Sequence, residues 1–228
     1  MAVMDEFREE REAIKNAPFK GKFEYYWEYY SKTVFGILVA VACIISIIVS
    51  IVSKPEYVLN GYIMNRYWLM DEESDCKSFV DEYMKYRGHD TDKYAMSVNG
   101  TLRYVVTDED EELVESTLYT AQLVGAQCAA GEVDFMVADY VTVEEFDGAA
   151  YFKDLREIYS EDELKKYEDL LVYSVNDSAM PIAIDVTESQ KLQEIYGITH
   201  DKLVIGFFGN AEHTEEGKYF VEYILQNE

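Results

Sequence analysis

The stretch "AAGEVDFMVADY", Ala129 to Tyr140, reads as the end of a helix followed by a buried strand. Gly131 stands where a helix stops, and the apolar run from Val133 to Ala138 has the length of a strand inside a core. Two acids interrupt it. Along an extended chain Val133, Phe135 and Val137 face one way, and Asp134, Met136 and Ala138 face the other. Asp134 therefore falls at the strand start, where a backbone amide or a helix end would satisfy it. Asp139 and Tyr140 fall where the strand ends.

Outward from this stretch, strands and helices alternate. "YVLNGYIMN", Tyr57 to Asn65, is β-rich, and "SDCKSFVDEYMKYRG" reads as a helix from a Ser74 cap to Gly88. "YAMSVNGTLRYVV" splits at Asn99-Gly100, a pair that predicts a hairpin with a strand on either side. "TDEDEELVESTLYTAQLVGAQCAAG" opens on Thr107 as a cap with acids in the first turn, and carries Leu113, Leu118, Ala121, Leu123 and Cys128 along a long helix closing at Gly131. The acids Asp108 to Glu112 are explained by the helix dipole, and the spacing of a calcium-binding EF-hand loop is absent. Beyond Tyr140, "EEFDG" and "YFKDLREIYSEDELKKYEDL" predict short helices, one with a Ser160/Glu163 capping box. The strands "LLVYSV" and "MPIAIDV", the helix "SQKLQEIYG", the strand "KLVIGFFGN" and the helix "TEEGKYFVEYILQ" complete the chain.

Upstream, "TVFGILVAVACIISIIVSIV", Thr33 to Val52, contains no charged residue. At 1.5 Å per residue it spans roughly the 30 Å of bilayer hydrocarbon, which predicts a transmembrane helix. It is longer than the apolar core of a cleaved leader, and the residues before it are charged, so retention as an anchor is expected. "AVAC" ending at Cys43 is faintly like a lipoprotein processing box, but the apolar run continues well past it. Lys15, Lys20, Lys22 and Lys32 precede the span, against only Lys54 and Arg66 within a similar distance after it. Basic residues stay on the cytoplasmic side, so the amino terminus is placed inside and the carboxyl-terminal domain outside.

Three segments result: a cytoplasmic juxtamembrane helical segment, 1–32; a transmembrane helix, 33–53; and an extracytoplasmic acidic α/β domain, 54–228. Residues 5–16, with acids and bases at helical spacings, read as a solvated helix. Tyr25, Tyr26, Trp27, Tyr29 and Tyr30, with Phe23, crowd the membrane face, where amphipathic rings favour the headgroup region. An aromatic belt or a docking helix for a membrane protein would both use them. Inside the span, Gly36, Ala40, Cys43, Ser46 and Ser50 line one helix face with small residues, continuing to Ser53. Such a face lets helices approach and supports self-association or packing on a partner.

The net charge is -25, from 45 acids and 20 bases. Residues 1–32 hold six bases and seven acids and the span holds none, which leaves fourteen bases and thirty-eight acids, or -24, on the outer domain. A nucleic-acid partner is excluded on that ground, because phosphate binding needs clustered Lys and Arg. A small ligand, if bound, would be neutral or cationic. Cys43, Cys76 and Cys128 show no metal or disulfide spacing and read as isolated thiols, although Cys76 and Cys128 could pair in an oxidising compartment.

The segment "LYTAQLVGAQCAAGEVDFMVADYVTVEEFDGAAYFKDLREIYSEDEL" resembles the region of type 2 periplasmic-binding proteins in which a helix ends in Ala-Gly, a Gly-acid-Val-Asp strand follows, and an "F..L" to "DL" segment trails it. "IGFFGNAEHTEEGKYFVEYIL" is similar to the closing strand and helix of such a lobe. The likeness covers about a third of the chain and extends to small membrane-anchored proteins of Gram-positive gut anaerobes carrying a reduced lobe. It implies an α/β solute-binding lobe. The outer part is short for two lobes and a hinge, so ligand binding does not come with the likeness.

Open α/β sheets collect ligands outside the carboxyl ends of their strands. Candidate ligand-binding residues are therefore Asp139 and Tyr140 after the strand "VDFMVA", Asn65 and Arg66 after the first strand, and Asn176 and Asp177 after "LLVYSV". Turn chemistry alone also explains Asn and Asp at such places. Catalytic patterns are missing. There is no GxSxG, no HExxH, no phosphate loop, and His89, His200 and His213 lie far apart in polar settings. No catalytic residue, metal or cofactor is assigned. The expected function is a non-catalytic binding or sensing module of the membrane; the alternative is an accessory or scaffold subunit whose outer domain has no pocket, with a surface hydrolase, built on two facing carboxylates, as a third class.

Overall fold

The computed structural model describes residues 18–52, 54–66, 72–105, 111–196 and 202–226. The solvated helix expected over 5–16, the Thr107 cap, Ser53 and His200 lie outside them. The chain divides into two compact units, Met1–Lys54 and Pro55–Glu228.

Among the described residues the first unit contains one helix, α1, Phe19–Val52. Its segment Tyr30–Ser50 has a mean hydropathy of 2.7 and is long and apolar enough to cross a membrane. Ile37, Leu38, Ile44, Ile45 and Ile47 are all exposed on it. A helix with exposed apolar residues on every side has no aqueous way to hide them, which suits a lipid surrounding. Gly36, Ala40, Cys43, Ser46 and Ser50 fall within α1, as do Tyr25, Tyr26, Trp27, Tyr29 and Tyr30. Trp27 and Tyr30 are exposed, and Trp27 stacks on Phe23 with ring centroids 5.9 Å apart.

The second unit is a six-stranded sheet between two helical layers. Its elements are β1 Glu56–Ile63, α2 Glu72–Arg87, β2 Tyr94–Asn99, α3 Glu111–Ala130, β3 Phe135–Asp139, α4 Tyr140–Gly148, a 3-10 turn Leu155–Glu157, α5 Glu161–Leu164, a 3-10 segment Lys165–Leu170, β4 Leu171–Tyr173, β5 Pro181–Asp185, α6 Gln190–Tyr196, β6 Leu203–Phe207 and α7 Thr214–Leu225. The strand order is β2-β1-β3-β6-β5-β4. β1 is parallel to β2 and to β3, β6 runs antiparallel to β3, and β5 and β4 alternate beyond it. The mixed α/β class read from the sequence is thus present as a single sheet.

Alternation along the strands feeds two cores. Leu59, Ile63, Phe135, Val137, Ile205 and Phe207 pack under α2, α6 and α7, where Phe79, Tyr83, Leu192 and Phe220 meet them. Tyr62, Met136, Ala138 and Val204 pack under α3 and α4 against Val124, Val143 and Phe146. Val133 precedes the strand proper and joins this second core, away from Phe135 and Val137. Leu118, on the long helix α3, stays exposed.

Local signals set most boundaries. Gly88 and Gly131 adopt φ of 70° where α2 and α3 stop, a conformation that glycine adopts without steric cost. Ser160 and Glu163 form the reciprocal capping box. A helix start and a turn differ from the sequence expectation. α2 already starts at Glu72, so Ser74 lies inside the helix. No hairpin forms at Asn99-Gly100: β2 pairs in parallel with β1, and residues 100–105 are not a strand. The Asn99 carboxamide oxygen instead accepts from the Thr101 amide and hydroxyl, both at 2.9 Å, a local Asx turn that ends the strand without reversing it into a partner.

Candidate functional site

The order β2-β1-β3 makes the carboxyl ends of β1 and β3 the place where successive crossovers diverge, the position at which doubly wound sheets hold ligands. Asn65 and Asp139 meet there. Asn65 sits at φ 58°, a left-handed conformation that Asn tolerates better than most residues. Its side-chain nitrogen donates to Asp139 Oδ2 at 2.6 Å, to the Tyr104 carbonyl at 2.9 Å and to Thr142 Oγ1 at 2.9 Å. Its oxygen accepts from the Tyr104 amide at 2.7 Å.

Asp139 is also the cap of α4. Its Oδ1 accepts from the Thr142 amide at 3.0 Å and its Oδ2 from the Thr142 hydroxyl at 2.9 Å. Leu102 closes the same corner, its carbonyl accepting from the Asn65 amide. Each polar group of the Asn65 side chain is used inside the protein, so this corner is a knot of internal bonds.

Tyr140 follows at the start of α4. Its ring lies under the Lys202 ammonium, 4.4 Å from the centroid, and a hydrogen bond with Glu144, then burial, hold its phenol above the ordinary range. Arg66 is buried and donates from Nη1 to the Cys76 sulfur at 2.8 Å. Gly100 allows this, because any side chain there would collide with the Arg66 guanidinium and the Cys76 sulfur. Beneath them the Tyr196 hydroxyl donates to the Met64 carbonyl at 2.9 Å. Burial, then the Asp139 charge, pushes that phenol well up, with Arg66 opposing.

Asn176 and Asp177 are not part of this corner. β4 runs antiparallel to β5 and so to β3, and its carboxyl end lies at the opposite end of the strands from Asp139. Asn176 donates to the carbonyl of Asp147 at the far end of α4, and Asp177 shapes a turn through the Ala179 amide. The strand-end rule presumes parallel strands, and β4 runs antiparallel to β3.

Asp134 is 1% exposed and lies before β3, at the other end from Asp139. It accepts from the amides of Asn60, Glu212 and His213, and from the His213 ring at Nδ1. It ties β1 to the entry of α7. The second imidazole, of His89, meets Glu216, which Arg87 and Tyr83 also bond. Among the described residues no hydroxyl or thiol is hydrogen-bonded to either ring, and no group of three or more His, Cys, Asp and Glu side chains is placed to hold a metal. Neither Cys76 nor Cys128 is joined in a disulfide, and both are buried.

A groove of about 570 Å³ opens one strand away from the closed corner, between β2 and α2. Its lining includes Lys77, Val80 and Asp81 of the helix and Ser97 of the strand. None of these was a candidate from sequence. Reading Asn99-Gly100 as a hairpin gave β2 a second neighbour and hid its edge; the helix between β1 and β2 was the signal that the two strands are parallel. Comparison with family models, with curated proteins and with solved structures finds no match.

Proposed function

We propose that this chain is a single-pass membrane protein, amino terminus in the cytoplasm, whose outer α/β domain docks a partner and does not enclose a small ligand. The observation that carries this reading is the Asn65 knot. A solute site at the carboxyl ends of β1 and β3 needs polar groups that converge on empty space, and here they converge on one another. The strand order, with β6 reversed beside β3, is compatible with a reduced lobe of periplasmic-binding type. The described residues hold one sheet, and a binding protein of that type needs two lobes to close on its ligand. The exposed apolar α1 and the Lys bias around it support the anchor and its direction.

Thermal unfolding of the full-length protein in neutral detergent, with sugars, amino acids and divalent cations in turn, tests the reading. A ligand held only by the folded state adds about 2.7 kcal/mol at a hundredfold excess over its dissociation constant. The midpoint is expected to stay unmoved across the series. A sugar, amino acid or cation that raises it overturns the docking reading in favour of a sensor. Protease added to intact cells is expected to remove 55–228 and to leave an amino-terminal fragment protected; cleavage only after lysis overturns the orientation.

A further inference from the structure

β2 is one edge of the sheet, and among the described residues no other strand pairs with its outer side. The groove described above is lined there by the unbroken run Met96 to Thr101 and, on its helical wall, by Cys76, Lys77, Val80 and Asp81. Successive strand residues point to opposite faces of a sheet. A cavity lined by every residue in succession therefore follows the strand's edge, not one of its faces. It lies where the next strand of the sheet would lie, with α2 as a side wall.

The polar side chains at the end of the groove are already engaged. Asn99 bonds Thr101, and Arg66 bonds Cys76 under Gly100. Recognition here falls to the backbone edge, with Val80, Met96 and Val98 offering apolar contact. A backbone edge beside a helix is the arrangement used for strand addition, in which main-chain bonds give affinity and alternate side chains enter pockets.

We propose that this groove takes an extended basic segment of a partner protein, which adds to the sheet as a strand beside β2; the proposal rests on the docking reading. The charge of the outer domain, 14 bases less 38 acids or -24, selects the basic segment, because an acidic one would be repelled before contact. Lys77 and Asp81 oppose one another on the wall and leave that long-range field in charge. A second copy fits less well. Two-fold symmetry cannot generate a parallel ladder, and an antiparallel β2 pair would put the two β1 starts at opposite ends of the joined sheet. Two copies, each carrying -24 on this domain, would also repel one another.

The test uses the full chain in phosphatidylcholine nanodiscs and labelled peptides of about ten residues, enough to match a strand of this length. One alternates Lys and Val, one Glu and Val, and one is the Lys-Val peptide with prolines at alternate valines. The Lys-Val peptide is expected to bind, with new hydrogen-exchange protection at alternate amides between Ala95 and Asn99. The Glu-Val and proline peptides are each expected to bind about tenfold more weakly or worse, through charge repulsion and loss of ladder donors. Equal binding of the proline peptide overturns the proposal, since charge alone would then suffice. So does binding without protection of β2, absence of binding, or β2 protection that rises with protein concentration and no peptide, which would make a second copy the occupant. Small-ligand stabilisation in the unfolding assay marks failure of the docking reading itself. Peptide failure with that assay silent marks failure of this proposal alone.

Discussion

The side-chain amide of Asn65 reaches Oδ2 of Asp139 across 2.6 Å, joining the ends of two parallel strands seventy-four residues apart in the chain. The same amide group bonds Tyr104 and Thr142, so one side chain holds β1, β3, α4 and the segment after β2 together. Asn65→Ala removes these bonds and places alanine at φ 58°. Leaving buried partners unsatisfied costs about 1 to 3 kcal/mol, and the left-handed backbone adds about 1 kcal/mol. Asn65→Gly relieves the second cost only and is expected to be milder by about 1 kcal/mol. Urea unfolding of residues 55–228, a unit with its own two cores, measures both; an Asn65→Ala variant as stable as the parent would refute the knot.

That knot also shows what the sequence carries and what it does not. Asn65, Asp139 and Tyr140 could be placed at strand ends because each follows an apolar run with a clear stop. Their mutual use depends on β1 and β3 being neighbours, and no local pattern states which strands are neighbours. Asn176 and Asp177 carried the same local signal, yet strand direction sent them to the other end of the strands. Helix stops at Gly88 and Gly131 and the Ser160 box were legible because they are decided within four residues. Asn99-Gly100 was misread for the converse reason. The pair specifies a turn, but which strand β2 pairs with is decided by distant neighbours, and here it lies in parallel beside β1.

Glu216 makes the outer domain acid-sensitive in a defined window. Burial raises its pKa, but hydrogen bonds from Arg87, Tyr83 and His89 outweigh that and bring it from 4.5 to about 2. A carboxylate whose folded pKa is depressed stabilises above its unfolded value and loses that contribution as pH falls through the folded one. Stability is therefore expected to fall between about pH 5 and pH 2. Glu216 is partly exposed, so solvent screening reduces the contribution to about 1 to 2 kcal/mol. Glu216→Gln should lower stability at neutral pH by that amount and flatten this part of the profile. A parallel pH dependence in parent and variant would show that other carboxylates govern the acid limb.

Gly61 faces the ring of Phe135, its partner across the β1–β3 ladder, so closely that a methyl group at Gly61 would overlap it. Phe135 is fully buried, with its ring centroid 4.8 Å from that of Phe220. Gly61→Ala is expected to cost about 1 to 3 kcal/mol by overpacking. Adding Phe135→Leu should recover part of that loss, because the smaller side chain vacates the contested space while charging its own cavity cost. A double-mutant cycle reads the coupling, and simple additivity of the two changes would contradict the contact.

Asp134 gives the last prediction, and it separates the two acids of the strand from which the fold was read. Its oxygens collect the amides of Asn60, Glu212 and His213 at 2.9 to 3.0 Å while the carboxyl is shut off from solvent. Those amides lie on β1 and at the entry to α7, so the side chain replaces a missing ladder and anchors a helix whose cap residue, His213, makes no side-chain capping bond of its own. Asp134→Ala leaves three backbone donors without their acceptor and is expected to cost about 2 to 4 kcal/mol. Asp134→Asn keeps one acceptor oxygen and should fall between. Because Asp134 sits at the opposite end of β3 from Asp139, and β2 with its groove lies beyond β1, neither change is expected to alter partner binding in variants that stay folded. Peptide affinity and urea midpoint measured on the same Asp134→Asn preparation decide it, and a loss of affinity without loss of stability would move Asp134 from scaffold to site.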